Sequence, residues 1–349
     1  MIFYIVLFFL VFISSFFCTY TKTIQISNIF RYLCFVFLFL PSAFRFGIGT
    51  DYVNYVDVFN IIKSGGTVIQ EPGWLLLNLL IIKLNLNVQW VFIISSFFTI
   101  FFMVKTEKND FFVVIVLFYC LFYLDSYNIV RQALSMSICW YSYICYVKGK
   151  KIKSYLIAFT AIFFHFAAIV FLIMLLVMNF ISFKSDVYFY FTFIIILLLF
   201  YTKLPEKILF YLLSFTKYST YIENLQYYNQ RAGGNTSILS IFVRSVIPFA
   251  LLNTIKRKRC SIKEYSCLQL LTLALLFFDF FGVSFYIFQR IRSFFFLTYI
   301  ALMKASFIKN NSIATITNYF YLFFFIAYYF LLRLLSGSGE IIPYTSIFR

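Results

Sequence analysis

A chain of 349 residues that is 63% hydrophobic and carries a formal net charge of +17 holds more apolar surface than a soluble domain could bury. Its basic residues are scattered between apolar runs, which excludes a nucleic-acid partner and fits loops facing anionic lipid. Seven cysteines without a CxxC pair, and one histidine, exclude a disulfide framework and make a His-based metal centre unexpected.

Apolar runs fall near 2–18, 29–44, 74–84, 88–104, 111–124, 132–147, 154–180, 187–202, 238–255, 265–281, 291–307 and 313–333. Hydropathy in long runs predicts helices rather than a barrel. The expected fold class is all-α: one polytopic membrane domain over 1–349, with roughly 10–12 transmembrane helices including broken or re-entrant elements. Ile2–Cys18 lacks a basic flank and a small-residue cleavage site, so it reads as the first span.

The strongest basic runs, Lys148-Gly-Lys-Lys-Ile-Lys153 and Lys256-Arg-Lys-Arg259, should both be cytoplasmic. Between them lie 154–180, 187–202 and 238–255, and three crossings cannot return a chain to the side it left. The conflict disappears if 154–180 is a helical hairpin with arms Ser154–Phe164 and Phe166–Phe180 and its tip at His165. Segment 74–84 is too short to span and should dip back or lie in the interface. The N-terminus is then outside, and 45–73, 125–131, 203–237, 282–290 and the tail from Ser336 face outward. Two outward loops stand out: 45–73, and 203–237 with Tyr211, Tyr218, Tyr221, Tyr227 and Tyr228.

Ionisable groups at the edge of hydrocarbon cost free energy unless they have a partner or a task. At the outward ends of the spans are Arg45, Asp51, Asp57, Glu71, Asp125, Arg131, His165, Arg231, Arg290, Arg292 and Glu340. Interfacial anchors would stand where Arg131 and Arg290 do. A helix N-terminal carboxylate would stand where Glu71 does, and Arg45 could simply pair with Asp51. Outward arginines in this number run against the positive-inside bias and ask for a function.

Six signposts occur in order: Arg45-Phe-Gly-Ile-Gly-Thr-Asp-Tyr-Val-Asn-Tyr55, Glu71-Pro-Gly, Asn128-Ile-Val-Arg-Gln-Ala133, Phe164-His165, Gln289-Arg290 and Ile342-Pro-Tyr344. Together they resemble the EpsG family, the Wzy-like polymerases of bacterial surface polysaccharides (O-antigen, capsule, exopolysaccharide). The resemblance covers nearly the whole chain. One departure is the apolar Phe166-Ala-Ala after His165, where the family pattern is Ser-bearing.

The resemblance implies a GT-C-like membrane glycosyltransferase in the bacterial cytoplasmic membrane. It would join undecaprenyl-diphosphate-linked oligosaccharide repeat units at the outer face, need no cofactor, and work among membrane lipid with a chain-length regulator as a further partner. A departing diphosphate needs planar, bidentate cations, which points to Arg45, Arg131 and Arg290. An attacking sugar hydroxyl needs a base, from His165, Asp51 or Glu71. His165 is favoured because its ordinary pKa lies near neutrality. Tyr52, Tyr55, Tyr227 and Tyr228 are expected to face the glycan. The alternatives are a flippase for lipid-linked oligosaccharide, whose paired half-repeats are not found here, and an O-antigen ligase. A membrane O-acetyltransferase would want a His near the N-terminus. No Walker A or Rossmann fingerprint is present.

Overall fold

The computed structural model describes every residue except 184, 216–237, 257–260, 283–285, 308–311, 338 and 349. Its helices are α1 (Ile2–Tyr20), α2 (Ile24–Ala43), α3 (Tyr52–Lys63), α4 (Pro72–Lys83), α5 (Gln89–Val104), α6 (Phe111–Phe118), α7 (Val130–Val147), α8 (Lys151–Ile162) and α9 (Ala168–Phe180). They continue with α10 (Asp186–Thr202), α11 (Leu204–Ser214), α12 (Ile238–Lys256), α13 (Ile262–Phe281), α14 (Tyr286–Phe295), α15 (Leu297–Phe307), α16 (Ser312–Phe325) and α17 (Leu332–Ser336). The chain forms two compact units, Met1–Leu172 with Asn311–Arg349, and Ile173–Asn310.

Among the described residues, Ile2–Tyr20, Ile24–Ala43, Ile262–Phe281 and Thr317–Ser336 are long and apolar enough to cross a membrane alone. The runs at 88–104 and 111–124 form one pair, Gln89–Val104 and Lys108–Tyr123, bent by 102°. Other runs are interrupted: 291–307 breaks at Phe296, and π-helical turns occupy Tyr119–Tyr123 and Ile326–Leu331. Hydropathy sees none of these breaks, because the residues at them are as apolar as their neighbours.

The first unit has two chemically distinct ends. At one, the turn between α1 and α2 is closed by Ser27 Oγ donating to the Cys18 carbonyl at 2.6 Å. There Lys108 donates to the Thr21 carbonyl at 2.5 Å, and Arg31 donates to the carbonyls of Val104 and Thr106 at the C-terminus of α5. A cation at that position satisfies orphan carbonyls and complements the helix dipole. Lys148 pairs with Glu107 at 2.8 Å at the same end.

α7 brings the chain from the opposite end to this basic one, and α8 takes it back. Their seam is built of small residues: Ser135 Oγ donates to the Ala161 carbonyl at 2.9 Å, and Ser142 Oγ to the Ser154 carbonyl at 2.8 Å. Both contacts obey one antiparallel register, and that register brings Arg131 level with His165. Ser154, Ala158 and Ala161 are fully buried there, which lets the backbones approach closely. The break expected at His165 is present, between α8 and α9. The antiparallel partner of α8 is α7, however, so the tight hairpin turns at Gly149 rather than at His165.

At the end opposite the basic one, the segment read as a plain outward loop, 45–73, contains α3. α3 and α4 pack over the start of α5 and α7 through Tyr52, Phe59, Trp74, Ile81, Val91, Phe92 and Val130. α4 is 12 residues, about 18 Å long, shorter than a membrane span.

In the second unit, Asp279 on α13 is buried and pairs with Arg292 on α14 at 2.8 Å. Gly282 permits the close return between them, since a Cβ there would meet the Phe278 carbonyl at 2.7 Å and the Gln289 backbone at 3.2 Å. Phe277, Phe278, Phe281 and Phe288 pack around this corner. The outward Tyr-rich loop expected at 203–237 begins with α11, and its Tyr227 and Tyr228 lie outside the described residues.

Candidate functional site

The motif end of the first unit is organised around Arg131, one residue into α7. Its guanidinium donates to the Glu71 carboxylate at 2.5 Å and to the side-chain carbonyl of Gln70. Arg131 is half-buried and Glu71 nearly buried, so the pair operates at lower dielectric than a surface salt bridge. Glu71 is placed by Pro72, which starts α4 where a missing N–H costs nothing. Glu71, a candidate base by sequence, is thus committed to Arg131.

Tyr55, on α3, lies close enough to Arg131 for its phenol to feel that charge. Burial pushes its phenol pKa up, and the Arg131 charge works against that rise. Tyr55 packs edge-on to Trp74 at 5.5 Å, and Tyr52 stacks on Phe92 at 4.9 Å. Tyr52 is buried, so of these two expected glycan contacts Tyr52 acts as core and Tyr55 as a partner of Arg131.

Arg45 has a different setting. It is 1% exposed, and its guanidinium lies over the rings of Phe92 at 4.7 Å and Tyr127 at 5.0 Å. It donates to the carbonyl of Ser42 and, at 3.5 Å, to that of Tyr127. Desolvation lowers its pKa, and the surrounding tyrosines offset the effect. Arg45 therefore does not share an open phosphate cradle with Arg131. It braces the loop from beneath, assisted by Gln89, whose amide donates to the Ala43 carbonyl at 2.5 Å.

Asp51 precedes α3 and makes neither the expected pair with Arg45 nor, among the described residues, any side-chain hydrogen bond. Its backbone carbonyl accepts from Tyr55 N–H at 3.2 Å, so its carboxylate stands one helical turn from the tyrosine that reaches Arg131. The helix N-terminus favours a carboxylate there.

His165 is half-buried in the turn between α8 and α9. Its Nδ1 accepts from the Ala167 N–H at 3.3 Å, which puts the proton of the neutral ring on Nε2. In that tautomer the imidazole offers a donor, not a base. The same turn docks on the Glu71-Pro-Gly signpost: Gly73 N–H donates to the Phe163 carbonyl at 2.8 Å, and a Cβ at Gly73 would meet that oxygen at 2.9 Å.

Arg290 belongs to the second unit, half-buried on α14. No group of three or more His, Cys, Asp or Glu side chains that could hold a metal occurs among the described residues. Sequence reading passed over Gln70, Asp279 and Arg333, the last of which pairs with Asp125. Asp279 closes an apolar run and Gln70 carries no charge, so neither gave a signal.

Four of the six signposts thus meet in space: Tyr55, Glu71, Arg131 and the His165 turn adjoin one another although 110 residues separate the first from the last. A family model described as the EpsG family matches residues 28–346. The chain belongs to the EpsG family. This is a family of Wzy-like polysaccharide polymerases and exopolysaccharide-biosynthesis proteins. No curated protein and no solved structure matches the chain. The EpsG match begins inside α2 and ends at Ser346, so it includes Tyr55, Glu71, Arg131, His165 and most of the C-terminal tail.

Proposed function

We propose that this EpsG-family protein is a polysaccharide polymerase that joins polyprenyl-diphosphate-linked oligosaccharide repeat units at the outer face of a bacterial cytoplasmic membrane. The observation that carries the reading is Arg131, partly exposed yet held by Glu71 and Gln70 at the end opposite the basic loops. A pre-oriented guanidinium is what a departing diphosphate requires, because stabilisation costs no reorganisation as charge develops.

In the reaction, a hydroxyl of the incoming lipid-linked unit attacks the anomeric carbon of the growing chain. A new C–O bond forms, the bond from that carbon to the diphosphate oxygen breaks, and the diphosphate leaves on its lipid. The hydroxyl proton passes to a base. Asp51 is the better candidate than His165, since its carboxylate is uncommitted while His165 Nδ1 already accepts a hydrogen bond. Glu71 orients Arg131, and Tyr55 links the arginine to α3.

Purified full-length protein in lipid nanodiscs, given the cell's own lipid-linked repeat units, should produce a ladder of extended chains. Absence of a ladder from folded, monodisperse protein would overturn the reading. Deleting the gene separates the alternatives: a polymerase mutant displays single repeat units. A flippase mutant displays none, and a ligase mutant accumulates unattached polymer.

A further inference from the structure

The C-terminal tail is bound to the motif loop along its length. Phe46 N–H donates to the Thr345 carbonyl at 3.0 Å, Ile347 N–H to the Phe44 carbonyl at 3.0 Å, and Gly49 N–H to the Glu340 carbonyl at 3.1 Å. Arg45 and Ser346 form an antiparallel bridge. Tyr4 Oη donates to the Ile341 carbonyl at 2.8 Å, which ties the same tail to α1. A third segment, Asp125–Ile129, leads directly into α7 and Arg131, and Asp125 pairs with Arg333 at the root of the tail.

One side chain touches all three segments. Asn128 Oδ1 accepts from Thr50 N–H at 2.8 Å and from Thr50 Oγ1 at 3.4 Å. A Cβ on Gly49 would come within 2.5 Å of that oxygen, and a Cβ on Gly339 within 2.5 Å of Asn128 Nδ2. Both glycines have positive φ, +101° and +85°, so each is fixed by conformation as well as by space. Asn128 is 8% exposed and three residues before Arg131. Its polar atoms are directed to two distant chain segments, the oxygen to Thr50 and the nitrogen to the backbone of Gly339.

We propose that Asn128 is a positioning residue: it registers the C-terminal tail and the Arg45–Thr50 loop against the start of α7, and through that register sets Arg131 for the reaction. The inference rests on the proposed polymerase activity for its functional half, and on geometry alone for its structural half. Placement matters at this scale, since displacement by about 1 Å can cost roughly a hundredfold in rate.

The test uses the full-length chain in nanodiscs with Ile48→Cys as reporter and Cys260→Ser as background. Ile48 is 1% exposed inside the loop, and the other cysteines are buried. A hydrophilic maleimide should label Ile48→Cys slowly in the parent. Asn128→Ala should speed labelling by roughly tenfold or more as the loop opens locally. The same variant without the reporter should extend lipid-linked units with kcat lowered roughly ten- to a hundredfold and KM within about threefold. Asn128→Asp keeps an oxygen for Thr50 and should restore slow labelling and most of kcat. Unchanged labelling in Asn128→Ala overturns the register. Faster labelling with full kcat overturns the positioning role, as does a loss confined to KM. A parent chain that shows the labelling contrast yet extends no lipid-linked unit overturns the proposed function instead, and the persisting contrast tells the two failures apart.

Discussion

Arg131 and Arg45 show how one residue type takes two tasks within one unit. Arg45 is enclosed by aromatic faces and carbonyls, whereas Arg131 keeps part of its guanidinium in the open while Glu71 and Gln70 fix its plane. Arg131→Lys retains charge but not the planar fork. Chain extension by that variant should fall at least about tenfold at normal expression, read from the length of the polymer ladder. A full-length ladder from Arg131→Lys would exclude bidentate recognition. The choice of base is a second residue-scale question. Asp51→Asn should lower extension by roughly 10²–10⁴-fold, the ordinary value of general-base assistance. His165→Gln keeps an N–H at a comparable position and should retain most of the rate. The reverse pattern would return the base to His165. Sequence alone favoured His165, because an intrinsic pKa is legible in a residue name and a tautomer is not: it depends on the Ala167 N–H two residues on.

Among elements, the contact that matters most is between the start of α4 and the turn after α8. Gly73 donates to the Phe163 carbonyl and leaves no space for a methyl group. Gly73→Ala must push the His165 turn away from Glu71 by several tenths of an ångström. The expected result is a several-fold loss of extension with destabilisation of about 1–3 kcal/mol, measured by thermal unfolding. Leu79→Ala, on the exposed side of α4, serves as control and should leave extension unchanged. The breaks at His165 and Phe296 and the π-turns show where periodicity stops informing. The first was legible through a charge-parity argument, and the others were silent because apolar residues fill them. α3 was missed for the opposite reason: its polar residues Asn54, Asp57 and Asn60 made a short helix read as loop. The Arg131–Glu71 pair spans 60 residues and could not be inferred from either neighbourhood.

For the whole molecule, the decisive property is which end faces the cytoplasm. In the first unit Arg31, Lys108 and Lys148 gather at one end, and Tyr55, Glu71, Arg131 and the His165 turn at the other. Positive residues are retained on the cytoplasmic side, so the motif end should face out. Lys63 and Lys150 are both exposed, on α3 and in the α7–α8 turn. In intact cells a membrane-impermeant maleimide should label Lys63→Cys, and should reach Lys150→Cys only after permeabilisation. Opposite labelling would place the arginine site in the cytoplasm, where nucleotide-sugar donors rather than exported lipid-linked units would be the available substrates. Parity extends the argument down the chain. Lys150 and the Lys256-Arg-Lys-Arg259 run share a side only if the chain crosses an even number of times between them, which the interruption at His165 allows and one unbroken span over 154–180 would not. A reporter fused at Lys184 should therefore read cytoplasmic and one at Gln226 external. The inverted pattern, Lys184 external and Gln226 cytoplasmic, would mean instead that the chain crosses only once between Lys150 and Lys184, and would overturn the even crossing.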